Sequence, residues 1–169
     1  NKFKSSIYKD VKNKSFALAV SGGADSLCLA YFGKLYSKEF KNKIHVLIVD
    51  HNIRKDSYKE AVKVKKILKK RKISSVILRW KGKIRQSNIQ KNARNLRYLL
   101  ISKYCLKKKI KYLMTAHHGD DQIENFFIRL FRGSGLTGLS SMPMNTKFNK
   151  KLKIVRPFLH FKKKDLNYV

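Results

Sequence analysis

Two patterns of apolar residues alternate along the chain. Short blocks at Phe16 to Val20 (FALAV), Ile44 to Val49 (IHVLIV), Ser75 to Leu78 and Lys111 to Thr115 are too brief for helices and read as buried strands. Between them the spacing turns helical. Helices are predicted from Asp25 to about Tyr36 and from Ser57 to about Arg71, the second with Ala61, Val64, Ile67 and Leu68 on one face. A third runs from Asn92 to about Lys107 with Leu96, Leu99, Leu100 and Tyr104 inward, and a fourth from Asp120 to Phe131. Lys151 to Val155 forms a fifth strand, stopped by Pro157. Strands alternating with helices imply βαβ units. The expected fold is therefore α/β: one domain over residues 1–169, with a Rossmann-like parallel sheet of about five strands and helices on both faces. In such sheets ligands bind beyond the carboxyl ends of the strands.

Composition sharpens this picture at two points. No apolar run reaches the ~20 residues of a membrane helix, so no membrane partner is expected. The basic start, Asn-Lys-Phe-Lys, lacks the apolar stretch of a signal peptide, and a cytoplasmic location follows as an expectation. The net charge of +31 attracts polyanions and favours RNA or DNA. A general lysine bias would produce the same charge, so charge alone does not decide the partner. The acids are more telling. There are only ten, and five of them (Asp25, Asp50, Asp120, Asp121 and Glu124) sit in short segments just after predicted strands. Cys28 and Cys105 form no CxxC pair and read as small buried hydrophobes.

The segment Ser21-Gly22-Gly23-Ala24-Asp25-Ser26 follows the first strand and opens a helix. Two glycines allow a sharp turn and close approach to an anion, and the amides of the helix start point at that anion with the dipole behind them. Ser21 and Ser26 add hydroxyls. Asp25 either holds magnesium on bound phosphates or caps the helix. The loop is no Walker A motif, because GxxxxGK[ST] is absent.

This SGGxDS loop resembles the PP-loop of the ATP pyrophosphatase superfamily. The resemblance implies that Ser21, Gly22, Gly23, Ala24, Asp25 and Ser26 bind the pyrophosphate end of ATP, and that AMP passes to an oxygen of the substrate. Further segments narrow it. Thr115-Ala116-His117-His118-Gly119-Asp120-Asp121-Gln122-Ile123-Glu124-Asn125, followed by Arg132-Gly133-Ser134-Gly135, is similar to the HHxDDQxE…RGSG signature of the tRNA(Ile)-lysidine synthetase family. Val49 to Arg54, Ala93 to Tyr98 and Arg156-Pro157-Phe158-Leu159 agree with it in order and spacing. Asn125 stands where the family usually has Thr, and Gly119 where Ala is common.

The implied reaction has two steps. ATP adenylates O2 of the wobble cytidine in the CAU anticodon of tRNA(Ile). The ε-amine of free L-lysine then attacks C2 and AMP leaves. On this reading ATP and Mg²⁺ are the cofactors. Asp25, Asp120 and Asp121 are catalytic, with Asp25 and Asp120 as magnesium ligands, and Asp121 and Glu124 recognise lysine. Asp50, His51, Arg97 and His117 join the ATP site, with Arg94 the alternative phosphate arginine. One histidine of His117-His118 contacts ATP or the base and the other is structural. His45 is a strand residue without a role. Arg132 to Gly135 forms either a loop over the nucleotide or RNA, or a helix C-cap at Gly133. The family's tRNA-selecting domains are expected to lie beyond these residues, and a homodimer is left open. Three other readings compete: a tRNA thiolase, which requires reactive cysteines or an iron–sulfur cluster; a noncatalytic nucleotide- or RNA-binding module; and a small-molecule amidotransferase-type synthetase.

Overall fold

The computed structural model of the protein describes residues 2–82, 88–133 and 140–166. Its elements run α1 (Lys2–Val11), β1 (Phe16–Val20), α2 (Ala24–Phe40), β2 (Ile44–Asp50), α3 (Ser57–Lys70), β3 (Ser75–Arg79), α4 (Ile89–Lys107), β4 (Tyr112–Met114), α5 (Gly119–Phe131), β5 (Asn145–Lys147), β6 (Lys153–Val155) and α6 (Lys163–Leu166).

The sheet has the order β3-β2-β1-β4-β6-β5. Five strands are parallel, as the alternating pattern requires. The sixth, β5, pairs antiparallel with β6 at the edge through Asn145↔Val155, Thr146↔Ile154 and Lys147↔Lys153. This strand is absent from the sequence reading because Asn-Thr-Lys carries no apolar signal; it exists through backbone pairing alone. Chain order proceeds outward from β1 to β3, then crosses back to β4 on the other side of β1. The switch point therefore lies between β1 and β4, where the loops leaving adjacent strands diverge and open a crevice.

Alternate residues of each strand feed two cores. Phe16, Leu18 and Val20 of β1, Val46 and Ile48 of β2, Met114 and Val155 pack with Leu29, Tyr36, Ala61, Val64 and Leu68 from α2 and α3. Ala17, Leu47, Leu113 and Ile154 point the other way, onto Ile101 and Cys105 of α4. Each fully buried large side chain contributes about 1.5–3 kcal/mol. Helices thus cover both faces, as expected.

Some inward assignments change. Ile67 is 45% exposed and Leu99 is 42% exposed, because α3 and α4 are rotated so that Leu68 and Ile101 take the core positions. The helix α1 is also new. Its Phe3, Ile7 and Val11 are spaced by four and all buried, and Phe3 packs on Phe158 with ring centroids 5.6 Å apart. Asn42 ties α1 to the sheet by donating from Nδ2 to the carbonyls of Val11 and Lys14, each at 2.8 Å. Among the described residues no helix is long and apolar enough to cross a membrane.

Candidate active site

A cavity of about 890 Å³ opens at the switch point. Its floor is the carboxyl ends of β1 and β2. Its walls include Ser21, Gly23, Asp25 and Ser26 from the first loop, Asp50 and His51 from the second, Arg94 and Arg97 from α4, and Thr115 and His117 after β4. The size suits a nucleotide. Ala24 is exposed at the first position of α2.

The first loop is shaped by two devices. Gly22 has φ +99°, and a Cβ there would meet Val64 Cγ2 at 2.5 Å, so only glycine fits. Ser26, buried at 6% exposure, draws the loop together. Its Oγ donates to the Gly23 carbonyl at 2.9 Å and accepts the amides of Ser21 at 3.2 Å and Gly22 at 3.1 Å. Its hydroxyl is thus engaged within the loop and is not the free donor to ligand that the sequence leads one to expect. The N-cap of α2 is Gly23, with no side-chain cap, so the helix start presents backbone amides and the positive end of its dipole to the cavity.

Asp25 is the second residue of α2. Its side chain does not cap α2. It faces His118, with Oδ2 3.7 Å from Nε2, while Oδ1 is buried without a hydrogen-bond partner. A buried, unpartnered carboxylate oxygen beside a phosphate-binding loop suits a magnesium ion, which takes one or two carboxylates and completes its shell with phosphates and water.

His118 is a buried hub at 5% exposure. Asp120 and Asp121 approach its Nδ1 at 3.6 and 3.7 Å, so three carboxylates surround one imidazole. Its backbone amide donates to Asp121 Oδ2 at 2.8 Å, which closes the N-terminus of α5. His118 is thus held within a ring of carboxylates, outside the residues that line the cavity. His117 faces the cavity, with Nδ1 and Thr115 Oγ1 2.9 Å apart. Burial, reinforced by the positive charge of Arg156, pushes its pKa down to about 4, so it is neutral at physiological pH. His51 also lines the cavity, and its pKa is lowered by burial and then by Arg97.

Other expected residues are held differently. Asp50 is 1% exposed; Oδ1 accepts the Asn52 amide at 2.9 Å and Oδ2 lies 3.1 Å from Arg79 Nε. It touches the cavity while shaping the loop after β2. Asp120 Oδ2 accepts the amide of Lys163 at 2.6 Å, and this bond is the main reason its pKa falls. Its oxygen therefore ties α5 to α6, which weighs against Asp120 as a magnesium ligand. Glu124 is exposed on α5 and is not among the cavity-lining residues. His45 sits in β2 with Nδ1 3.1 Å from Tyr104 Oη, as a strand residue. Arg132 and Gly133 are exposed at the end of α5; Ser134 and Gly135 lie outside the described residues.

Sequence reasoning passed over Thr115 and Arg156 as site residues. Arg156 is 6% exposed, and its Nη1 donates to the Pro143 carbonyl at 2.8 Å and to Thr146 Oγ1 at 2.7 Å. Among the described residues its hydrogen bonds go to neutral oxygens, and its positive charge is felt at His117, whose pKa it helps to lower. The isolated charge within an apolar segment, Ile154-Val155-Arg156-Pro157-Phe158, was the available signal.

The loop geometry, the helix dipole and the orphan carboxylate describe a polyphosphate site without a Walker lysine. The sequence profile of the PP-loop domain family matches residues 1–169. The chain belongs to the PP-loop family. Among curated relatives, a tRNA(Ile)-lysidine synthase from Orientia tsutsugamushi (strain Boryong) is 44% identical over 92% of this chain and 35% of its own length. One from Wolbachia pipientis wMel is 40% identical over 91% of the chain and 36% of its own length. The chain thus spans about a third of the length of the curated relatives it matches. Among solved structures, a U34-tRNA thiolase from Methanococcus maripaludis with its [4Fe-4S] cluster superposes with TM-score 0.79 at 18% identity, over 98% of this chain and 59% of that one. That likeness shows the PP-loop fold alone. The two cysteines of this PP-loop chain lie in different cores on opposite faces of the sheet, and burial pushes Cys28 up to about 11 and Cys105 up to about 12. They cannot share a cluster, and neither is a ready thiolate.

Proposed function

We propose that the chain is the catalytic PP-loop domain of a tRNA(Ile)-lysidine synthetase, an ATP-dependent ligase that forms a carbon–nitrogen bond on the wobble cytidine of a CAU anticodon. The observation that carries this reading is the meeting of the phosphate loop after β1 with the His-His-x-Asp-Asp segment after β4, at one crevice. The names and 40–44% identities of the curated relatives support the choice of substrate.

The α2 amides and Arg97 hold the pyrophosphate of ATP, with Arg94 beside them. Magnesium, when bound to Asp25 and the phosphates, neutralises charge on the leaving group. Cytidine O2 attacks the α-phosphorus and pyrophosphate departs toward the dipole of α2. His117, neutral and fixed by Thr115, contacts the nucleotide by hydrogen bonding without adding charge. Lysine enters along α5. Asp121 pairs its ammonium with help from Glu124 and takes the proton that frees the amine. The amine attacks C2, and the C2–O2 bond breaks to release AMP.

The test is incorporation of labelled lysine into transcribed tRNA(Ile) with a CAU anticodon, with ATP and magnesium. Asp121→Asn keeps an oxygen for the His118 amide but removes the charge and the base. It is expected to lower lysine transfer at least about 100-fold with little change in Tm. Full transfer by this variant contradicts the role of Asp121. Transfer to tRNA of a different anticodon contradicts the substrate.

A further inference from the structure

The carboxyl ends of β2 and β3 carry a second cluster, beside the cavity and outside its lining. Arg79, the last residue of β3, sits over the ring of Tyr58, with Cζ 4.7 Å from the ring centroid. The negative face of the ring attracts the guanidinium. The same guanidinium is also anchored along its edge. Nε lies 3.1 Å from Asp50 Oδ2, and Nη2 donates to Asn52 Oδ1 at 3.3 Å. The Asp50 side chain is fully buried at the end of β2, so the anchor belongs to the sheet and not to a loose loop. Both partners still reach the surface: the Arg79 side chain is 48% exposed and Tyr58 is 44% exposed.

What this pair can bind follows from what is already engaged. Two of the three guanidinium nitrogens have partners, and Asp50 balances the charge. A phosphate would have to displace a buried carboxylate to claim that edge of the fork. The pair still offers π surface, and arginine and tyrosine planes are what unpaired bases stack on. The flanking chain suits a polyanion. Arg54, Lys55, Lys59 and Lys81 are exposed, against the exposed acids Asp56 and Glu60.

Position says which base arrives. Tyr58 and Arg79 do not line the cavity, but Ser57, next to Tyr58, and Asp50, which Arg79 holds, both do. A small molecule such as ATP fills the cavity without reaching the pair. A strand that delivers one base into the cavity continues over the rim, and its neighbouring base meets the pair there.

We propose that Tyr58 and Arg79 form a stacking platform for the unpaired base next to the one that reacts. The strand is then gripped through a base as well as through its phosphates. The inference rests on the reading that the substrate is RNA, and it does not depend on which base is modified.

Fluorescence anisotropy of a labelled RNA stem-loop with a CAU loop tests it. Wild type and Tyr58→Leu are titrated against the intact loop. Both are then titrated against loops in which one base beside the cytidine is replaced by an abasic sugar, which leaves every phosphate in place. Tyr58→Leu keeps apolar bulk and loses the ring. It is expected to bind the intact loop about tenfold more weakly, with Tm and salt slope as in wild type, because a stacking contact and no phosphate contact is lost. Tyr58→Phe is expected to restore binding. One of the two abasic loops is expected to weaken wild-type binding by the same factor and to weaken Tyr58→Leu no further, since base and ring are one contact. Four results overturn the proposal: Tyr58→Leu binding as tightly as wild type; wild-type binding indifferent to both abasic loops; an abasic loss that adds in full to the loss in Tyr58→Leu; or weaker ATP binding by Tyr58→Leu without RNA, which would give the ring to the nucleotide. A wild-type protein that binds no RNA overturns the platform and the RNA reading together. Tight wild-type binding that ignores Tyr58 overturns the platform alone.

Discussion

In the proposed function Ser26, Asp25 and His117 carry most of the local chemistry, and each makes a separate prediction. Ser26 Oγ holds two loop amides and one carbonyl, so Ser26→Ala is expected to destabilise the fold by about 1–3 kcal/mol, as unpaired groups in a buried loop do. Its KM for ATP should rise more than its kcat falls, which steady-state kinetics beside a thermal melt would reveal. Asp25→Asn keeps the shape but loses the charge that the proposed function offers to magnesium. Turnover should drop by two orders of magnitude or more while Tm stays level, and equal turnover would remove Asp25 from the reaction. His117 makes a statement about pH. Its folded pKa, about 4, lies below the ordinary value of 6.5, so the folded state favours the neutral ring. The stability this reflects is complete above pH 6.5 and is lost as pH falls through 4, by up to about 3 kcal/mol. Denaturant melts between pH 7 and 4 should lose less stability in His117→Asn than in wild type. An identical pH slope in the two proteins would show that His117 is not held neutral.

At the scale of elements, α1 is the plainest test of packing. Phe3, Ile7 and Val11 are 2%, 0% and 0% exposed, and Phe3 touches both Phe32 and Phe158. Phe3→Ala is expected to lower unfolding free energy by about 3–5 kcal/mol without changing the loop after β1. A change below 1 kcal/mol in a denaturant melt would show that α1 is loosely docked. Most of the central elements were legible from their patterns. The blocks FALAV and IHVLIV could only be buried strands, and the glycines after the first could only be a tight turn. The missed elements lacked such signals. In α1 the apolar residues are diluted by lysines, and β5 is a polar edge strand made by its neighbour. The helix α5 was correctly placed along the chain, but its orientation was not readable, because periodicity shows that a stripe exists and not which way it faces. The same limit explains the site. Residue types and order marked the loop and the His-His-x-Asp-Asp segment. Only the three-dimensional arrangement separates Asp25, with its free oxygen, from Asp120, whose oxygen is held by Lys163.

Across the whole molecule, charge and topology point to one working face. The carboxyl ends of β1, β2 and β4 converge on a cavity walled by Arg94 and Arg97, within a chain of net charge +31. If RNA is the macromolecular substrate, its affinity should fall steeply with salt, roughly one power of concentration for each phosphate neutralised. A flat salt response in a filter-binding titration would exclude phosphate contacts as the source of affinity. The PP-loop assignment and the absence of a Walker lysine make a stricter claim, namely that ATP is cut between its α- and β-phosphates. The most direct test is to incubate the protein with α-labelled ATP, magnesium, lysine and tRNA carrying a CAU anticodon, and to separate the labelled products. The account predicts AMP, formed with an equal amount of pyrophosphate, dependent on the RNA and lost in Asp25→Asn. Labelled ADP with free phosphate would contradict it.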